Sequence, residues 1–300
     1  MVRVGVTPTG RPTINLLITL EGFVVFRRRL GFAVLTAGIS LTGLVTGTAA
    51  AAPSCADFHW LGAAGSGQRD AEGLTANDGM GGVVYQSYQQ LRDDLLAGGH
   101  TIDAEAVQYP AAPVPLKGGV GGWLDFLGSV DDGTNAVAKQ FKAFTERCPD
   151  TKVVLAGYSQ GAMVIHRNLY DLADDPHVAA ALLIADGDRL PADTTIALGS
   201  AAGTPDRGKG VAQEHSFLAS TNTSMLPPAI GARTVSVCDA GDPVCDYDPD
   251  ASSKVSDSAI AIHTAYSPTA SGAHAWGAPL YNIVVSAART PASTIALTAG

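Results

Sequence analysis

The residues best suited to chemistry are Gly157-Tyr158-Ser159-Gln160-Gly161, a Gly-x-Ser-x-Gly pattern. A serine hydroxyl becomes a useful nucleophile only when it is lifted clear of its neighbours and a base takes its proton. Glycine on either side permits the crowded strand-to-helix turn that does the lifting. Five residues alone are a weak signal, because an ordinary glycine turn can match them. The setting is more specific: the apolar run Val153-Val154-Leu155-Ala156 comes directly before, and Ala162, Ile165, Leu169 and Leu172 follow at helical spacing. The chemistry expected is acyl transfer through Ser159.

Such a serine needs an imidazole, and the imidazole needs a carboxylate to hold its tautomer. On a strand–turn–helix elbow the chain order is serine, acid, histidine, which removes His59 and His100. The acids downstream are Asp239, Asp242, Asp246 and Asp248. Asp242 falls inside the short Cys238 to Cys245 interval, just after the strand-like Thr234 to Val237, where a disulfide would hold it at the edge of a sheet. Asp246, Asp248 and Asp250 read equally well as a solvated acidic loop. Ala251 stands where a calcium loop of the EF-hand type needs glycine. His263 and His274 compete as the base, and local chemistry does not separate them. His166, on the helix after the elbow, and His177, after Pro176, read as surface or packing residues. The backbone N–H after the nucleophile, that of Gln160, is one expected oxyanion donor, and a loop after an early strand should supply the other.

These groups require a scaffold, and the pattern of elements supplies one. Strands are expected at Ala56 to Leu61, Ala104 to Tyr109, Lys152 to Ala156, Ala181 to Ala185 and Thr234 to Val237. Helices are expected through Tyr85, Tyr88, Leu91 and Leu95, through Val137, Phe141, Phe144 and Cys148, after the elbow, and over Leu280 to Arg289. A glycine-rich loop is expected from Gly118 to Gly128. Alternating strands and helices imply an α/β fold: a three-layer, doubly wound, mainly parallel sheet flanked by helices, with ligands at the carboxyl ends of the strands. Residues Gly187 to Gly231 contain no long apolar helix, so no large lid is expected.

Three hundred residues with 46% hydrophobic content suffice for one large core. Arg27-Arg28-Arg29, the apolar stretch Leu30 to Val45 and the small residues Ala49 to Ala52 read as a secretory signal, too short and glycine-interrupted for a permanent membrane anchor. The expected organisation is an N-terminal extension and signal over 1–52, a catalytic domain over 53–290 and a tail over 291–300. Residues 1–52 carry five arginines and one glutamate of the 19 basic and 28 acidic residues, which leaves a net charge of −13 on the remainder. That excess of negative charge argues against nucleic acid and anionic membranes as partners. All four cysteines lie after the signal, and an even number in an exported chain reads as two disulfides. Three pairings are open, and proximity favours Cys238 with Cys245, which leaves Cys55 with Cys148. Their spacing does not suit zinc.

Taken together, the motifs resemble the cutinase family of secreted serine esterases. Its members show a Gly-Tyr-Ser-Gln-Gly elbow preceded by a cysteine, a Cys-x-x-Gly-Asp-x-x-Cys loop bearing the acid and a His-x-x-Tyr element bearing the base. Here these are Gly157 to Gly161 after Cys148, Cys238-Asp239-Ala240-Gly241-Asp242-Pro243-Val244-Cys245, and His263-Thr264-Ala265-Tyr266. The resemblance runs from about Cys55 to Tyr281. It implies Asp242 and His263 as partners of Ser159, the Cys55 to Cys148 pairing, and Ser66 of Gly65-Ser66-Gly67 as the second oxyanion donor. That segment also suits an ordinary small-residue turn. Ala64 stands where fungal members commonly carry arginine, and the Asp242 to His263 interval is longer than usual. The expected protein is a secreted, monomeric carboxylic ester hydrolase with no cofactor or metal, no nucleic-acid partner and no membrane anchor. Its substrate would be a cutin-like polyester or a short-to-medium-chain ester. Alternatives on the same scaffold are an acetylxylan esterase, a phospholipase, or a secreted binding protein or surface antigen without activity.

Overall fold

The computed structural model describes residues 55–115, 120–204, 207–215, 217–218, 224–250, 255–270, 272 and 275–289. The expected signal segment, the tail and His274 lie outside the described residues.

Six strands form one sheet: β1 (Phe58–Ala63), β2 (Ile102–Ala106), β3 (Lys152–Tyr158), β4 (Val178–Ile184), β5 (Ile196–Leu198) and β6 (Thr234–Val237). Their spatial order is β2-β1-β3-β4-β6-β5, and every pairing is parallel. The central strands are covered on both faces, which explains their nearly unbroken apolar runs. Successive residues of β3 divide between the two cores. Val153 and Leu155 pack with Phe141 and Phe144 of α2 (Val120–Arg147) and Ile165 of α3 (Gln160–Leu169). Val154 and Ala156 pack with Leu91 of α1 (Gly82–Ala97) and with Leu280 and Val284 of α7 (Gly277–Ala288). Two helix layers around a parallel sheet are the doubly wound α/β architecture expected from the sequence.

Strands β1 and β3 are neighbours, yet β1 leads through α1 to β2 on one side, while β3 leads through α3 to β4 on the other. Their carboxyl ends therefore flank the point where the winding reverses, and the connections diverge there to leave a crevice. Ser66 follows β1 and Ser159 follows β3, so the topology brings both to that crevice.

Several elements depart from the sequence-based expectations. Residues expected as a glycine-rich loop instead open the 28-residue α2. Packing overrides propensity there: a Cβ on Gly122 would lie 2.7 Å from Pro115 Cβ, and farther along the same helix one on Gly133 would lie 2.6 Å from Val164 Cγ2, so at these two positions glycine is what lets the helix approach. The three-residue β5 at the sheet edge is too short to carry a period. Helix α6 (Asp257–His263) buries none of its residues and so lacks an apolar stripe, although Ser256 Oγ caps it by accepting Ala259 N–H at 3.2 Å. Between Gly187 and Gly231 the helices among the described residues are two of four residues each, α4 (Val211–Glu214) and α5 (Pro228–Gly231).

Candidate active site

Helix α3 begins at once after β3, and Ser159 is the hinge between them, with φ 55° and ψ −119°. That left-handed conformation is strained for a residue with a Cβ, and it is held by its surroundings. Ser159 N–H donates to Ile184 O at 2.9 Å, which fastens the turn to β4. A Cβ on Gly157 would lie 2.2 Å from Gly161 O, and one on Gly161 would lie 2.2 Å from Ala63 O and 2.5 Å from Ala64 O. The glycines therefore let the elbow close on itself and seat it against the end of β1.

At the end of β6 the chain enters the loop closed by Cys238–Cys245, and a second disulfide joins Cys55 to Cys148. Asp242, fully buried, is held inside that loop: its Oδ1 accepts Val244 N–H at 2.7 Å and Cys245 N–H at 3.2 Å. Tyr266 donates its hydroxyl to Oδ2 at 2.8 Å. These donors replace the water that a buried carboxylate has lost.

His263 is the last residue of α6 and lies between this carboxylate and the elbow. Its Nδ1 is 2.9 Å from Asp242 Oδ2 and 3.1 Å from Oδ1, and its Nε2 is 3.0 Å from Ser159 Oγ. A carboxylate can only accept, so the ring proton belongs on Nδ1 and the Nε2 lone pair faces the serine hydroxyl. The Tyr158 ring stacks on the imidazole with centroids 5.2 Å apart, and its hydroxyl donates to His263 O at 2.7 Å. Burial, with the negative charge of Asp242 adding to it, holds the Tyr158 phenol well above its ordinary range, so it stays a donor.

Ser66 and Gln160 meet at a third point. The Ser66 hydroxyl donates to Ala112 O at 3.1 Å and accepts Val114 N–H at 2.8 Å, and Gln160 Nε2 donates to the same Ala112 carbonyl at 3.3 Å. Gln160 opens α3, where backbone N–H groups lack an acceptor within the helix.

Two further side chains lie in surroundings that the sequence left open or placed elsewhere. Asp246 does not belong to a solvated loop: it accepts Gly208 N–H at 2.6 Å and Gly241 N–H at 2.7 Å and pairs with Arg207. Of the surface and packing roles expected for His166 the structure shows packing: it is buried, with Nδ1 2.5 Å from Asp186 Oδ2 beside the Arg167–Asp188 pair. Neither partner is near in sequence, so no local pattern marks them. Tyr158 and Tyr266, which hold His263 and Asp242, stood inside the motifs without a role of their own.

A doubly wound parallel sheet with a serine raised at a strand–helix elbow defines an α/β hydrolase. The cutinase family model matches residues 54–277. The chain belongs to the cutinase family and is a carboxylic ester hydrolase. It is 28% identical over 221 residues to a probable carboxylesterase, Culp3, of Mycobacterium tuberculosis, covering 72% of this chain and 69% of that protein. It is 41% identical over 93 residues to a cutinase of Hypocrea jecorina, covering 30% and 33% of the two chains. Among solved structures, a cutinase-like protein from Cryptococcus sp. has a TM-score of 0.52 at 17% identity and covers 79% of this chain and 97% of its own, a likeness of fold. No helix among the described residues is long and apolar enough to cross a membrane.

Proposed function

We propose that this chain is an exported serine esterase that cleaves short-to-medium-chain esters or cutin-like polyesters through an acyl-enzyme on Ser159. His263 Nε2 takes the hydroxyl proton as Ser159 Oγ attacks the ester carbonyl. Asp242 holds the Nδ1–H tautomer and stabilises the imidazolium that forms. The negative oxygen of the tetrahedral intermediate accepts hydrogen bonds from the backbone N–H of Gln160 and from Ser66. His263 then protonates the leaving alcohol. Water enters, gives its proton to the same Nε2 and releases the acid.

What supports this reading above all is one unbroken line of contacts, Ser159 Oγ to His263 Nε2 at 3.0 Å and His263 Nδ1 to Asp242 Oδ2 at 2.9 Å. Family membership supplies the reaction class. The two disulfides suit an oxidising compartment, in keeping with a leader over 1–52, a monomeric catalytic domain over 53–290 and a short tail. The short helices between Gly187 and Gly231 favour an open cleft, and so substrates that need no interfacial opening.

The test is hydrolysis of p-nitrophenyl esters from acetyl to palmitoyl by the mature chain and by Ser159→Ala, His263→Ala and His274→Ala. The expected profile peaks at short to medium chains, and turnover falls by about 10⁴-fold or more for the first two variants while His274→Ala retains it. Activity that survives His263→Ala and disappears with His274→Ala would overturn the assignment of the base. A rate confined to acetyl esters would redirect the substrate to acetylated polysaccharide.

A further inference from the structure

We infer that Tyr266 is a positioning residue for the acid–base pair, fixing the rotation of the Asp242 carboxylate and withdrawing charge from the oxygen that faces His263. The kinetic part of this inference rests on the esterase reading above.

The direction of the Tyr266 hydroxyl proton follows from its neighbours. The oxygen accepts Asp239 N–H at 2.9 Å, and Asp242 Oδ2 lies at 2.8 Å on another side. An amide N–H can only donate and a carboxylate can only accept, so the single phenolic hydrogen points at Asp242. Burial, reinforced by the negative charge of Asp242, holds this phenol far above its ordinary range, so it remains a donor at every working pH. One hydroxyl thus ties the start of the disulfide loop, at Asp239, to the carboxylate inside it.

The two oxygens of Asp242 are held by different means. Oδ1 is fixed by its own loop through Val244 and Cys245, with His263 Nδ1 farther off at 3.1 Å, whereas Oδ2 has Tyr266 at 2.8 Å and His263 Nδ1 at 2.9 Å as its donors. Without the phenol, Oδ2 keeps one donor, the carboxylate gains freedom to rotate, and its charge concentrates on the bond to Nδ1. A stronger pull on Nδ1–H favours the imidazolium, so activity should be lost to protonation at a higher pH than before.

The test compares the wild-type chain with Tyr266→Phe, with 3-fluorotyrosine incorporated at position 266, and with Ser200→Ala. Ser200 Oγ supports the same loop by accepting Ala240 N–H at 2.9 Å and donating to Asp239 Oδ1 at 3.2 Å, but does not touch Asp242. Two quantities are read: the midpoint of the acid limb of kcat/KM for p-nitrophenyl butyrate, and the proton resonance of His263 Nδ1–H. For Tyr266→Phe the acid limb rises by about 0.5–1 pH unit, the resonance moves downfield, and kcat falls about tenfold with KM nearly unchanged. Fluorotyrosine, a stronger donor of the same shape, moves both readings the opposite way, and it decides the matter if Tyr266→Phe does not fold. Ser200→Ala lowers the unfolding temperature and leaves both readings in place. Equal shifts in Tyr266→Phe and Ser200→Ala, or no shift with fluorotyrosine, would overturn the inference. Absent turnover in the wild-type chain would count against the esterase reading alone, since the resonance still reports on the hydroxyl.

Discussion

The Tyr158 hydroxyl donates to the backbone carbonyl of His263 at 2.7 Å while the two rings lie stacked, so the residue before Ser159 also holds His263. The strained turn and the imidazole are thereby one mechanical unit. Tyr158→Phe keeps the stacking and loses the hydrogen bond. It should cost about 1 kcal/mol of stability and lower kcat by roughly three- to tenfold through a looser base. Urea unfolding and steady-state kinetics on the same preparation measure both effects.

Gly161→Ala should be far more damaging than its size suggests. The added methyl would sit 2.2 Å from Ala63 O and 2.5 Å from Ala64 O, both backbone atoms at the end of β1. Relief requires separating the elbow from that strand, with a loss on the order of 3 kcal/mol or more and turnover reduced at least a hundredfold even where the chain folds. Thermal unfolding and ester hydrolysis would check this.

The buried pair His166–Asp186 makes stability depend on alkaline pH. Burial alone would lower the His166 pKa, but Asp186, by charge and hydrogen bond, and then Asp188 and Asp193 outweigh it and raise it to about 9. The stabilisation is therefore complete below the ordinary histidine value of 6.5 and is lost as pH rises through about 9. The unfolding temperature should fall between about pH 6.5 and pH 9 and level off above that range. His166→Asn, which leaves Asp186 buried without its cation, should be less stable than wild type by about 3 kcal/mol at pH 7, with the gap narrowing by pH 10. Calorimetry across that range tests the prediction.

The two disulfides should differ in what their loss does. Cys55–Cys148 spans 93 residues, and loop-closure entropy assigns it about 4.7 kcal/mol of stabilisation. Cys238–Cys245 spans only 7 and holds the loop that carries Asp242. Replacing the first pair by alanine should lower the unfolding temperature while leaving kcat within about threefold below that temperature; replacing the second should reduce kcat at least tenfold. Paired melting and kinetic measurements distinguish the two roles.

What was legible in the sequence was what is local. The elbow could be read because strand, turn and helix are contiguous over Val153 to Leu172. Two cysteines enclosing Asp239 and Asp242 drew attention to that short loop, and likeness to a family singled out Asp242. His263 and His274 could not be separated by local chemistry: His263 reaches Ser159 across 104 positions of chain, and α6, which carries it, has no buried face to announce itself. Only likeness to a family distinguished them. The His166–Asp186 pair and the Tyr266–Asp242 bond were illegible for the same reason, since contacts 20 and 24 residues apart leave no period in the chain. Gly122 shows the converse, a residue placed in a loop because glycine weakens a helix, which close approach to Pro115 turns to use.

The central claim is that Ser159 is the nucleophile, activated by His263. Its most direct test is reaction of the mature chain with diethyl p-nitrophenyl phosphate, counting p-nitrophenolate released and locating the diethylphosphoryl group by peptide mass. The account predicts one equivalent released per chain, the group on Ser159, and labelling slowed at least a thousandfold in His263→Ala. A group found on another residue, or labelling as fast without His263 as with it, would contradict it.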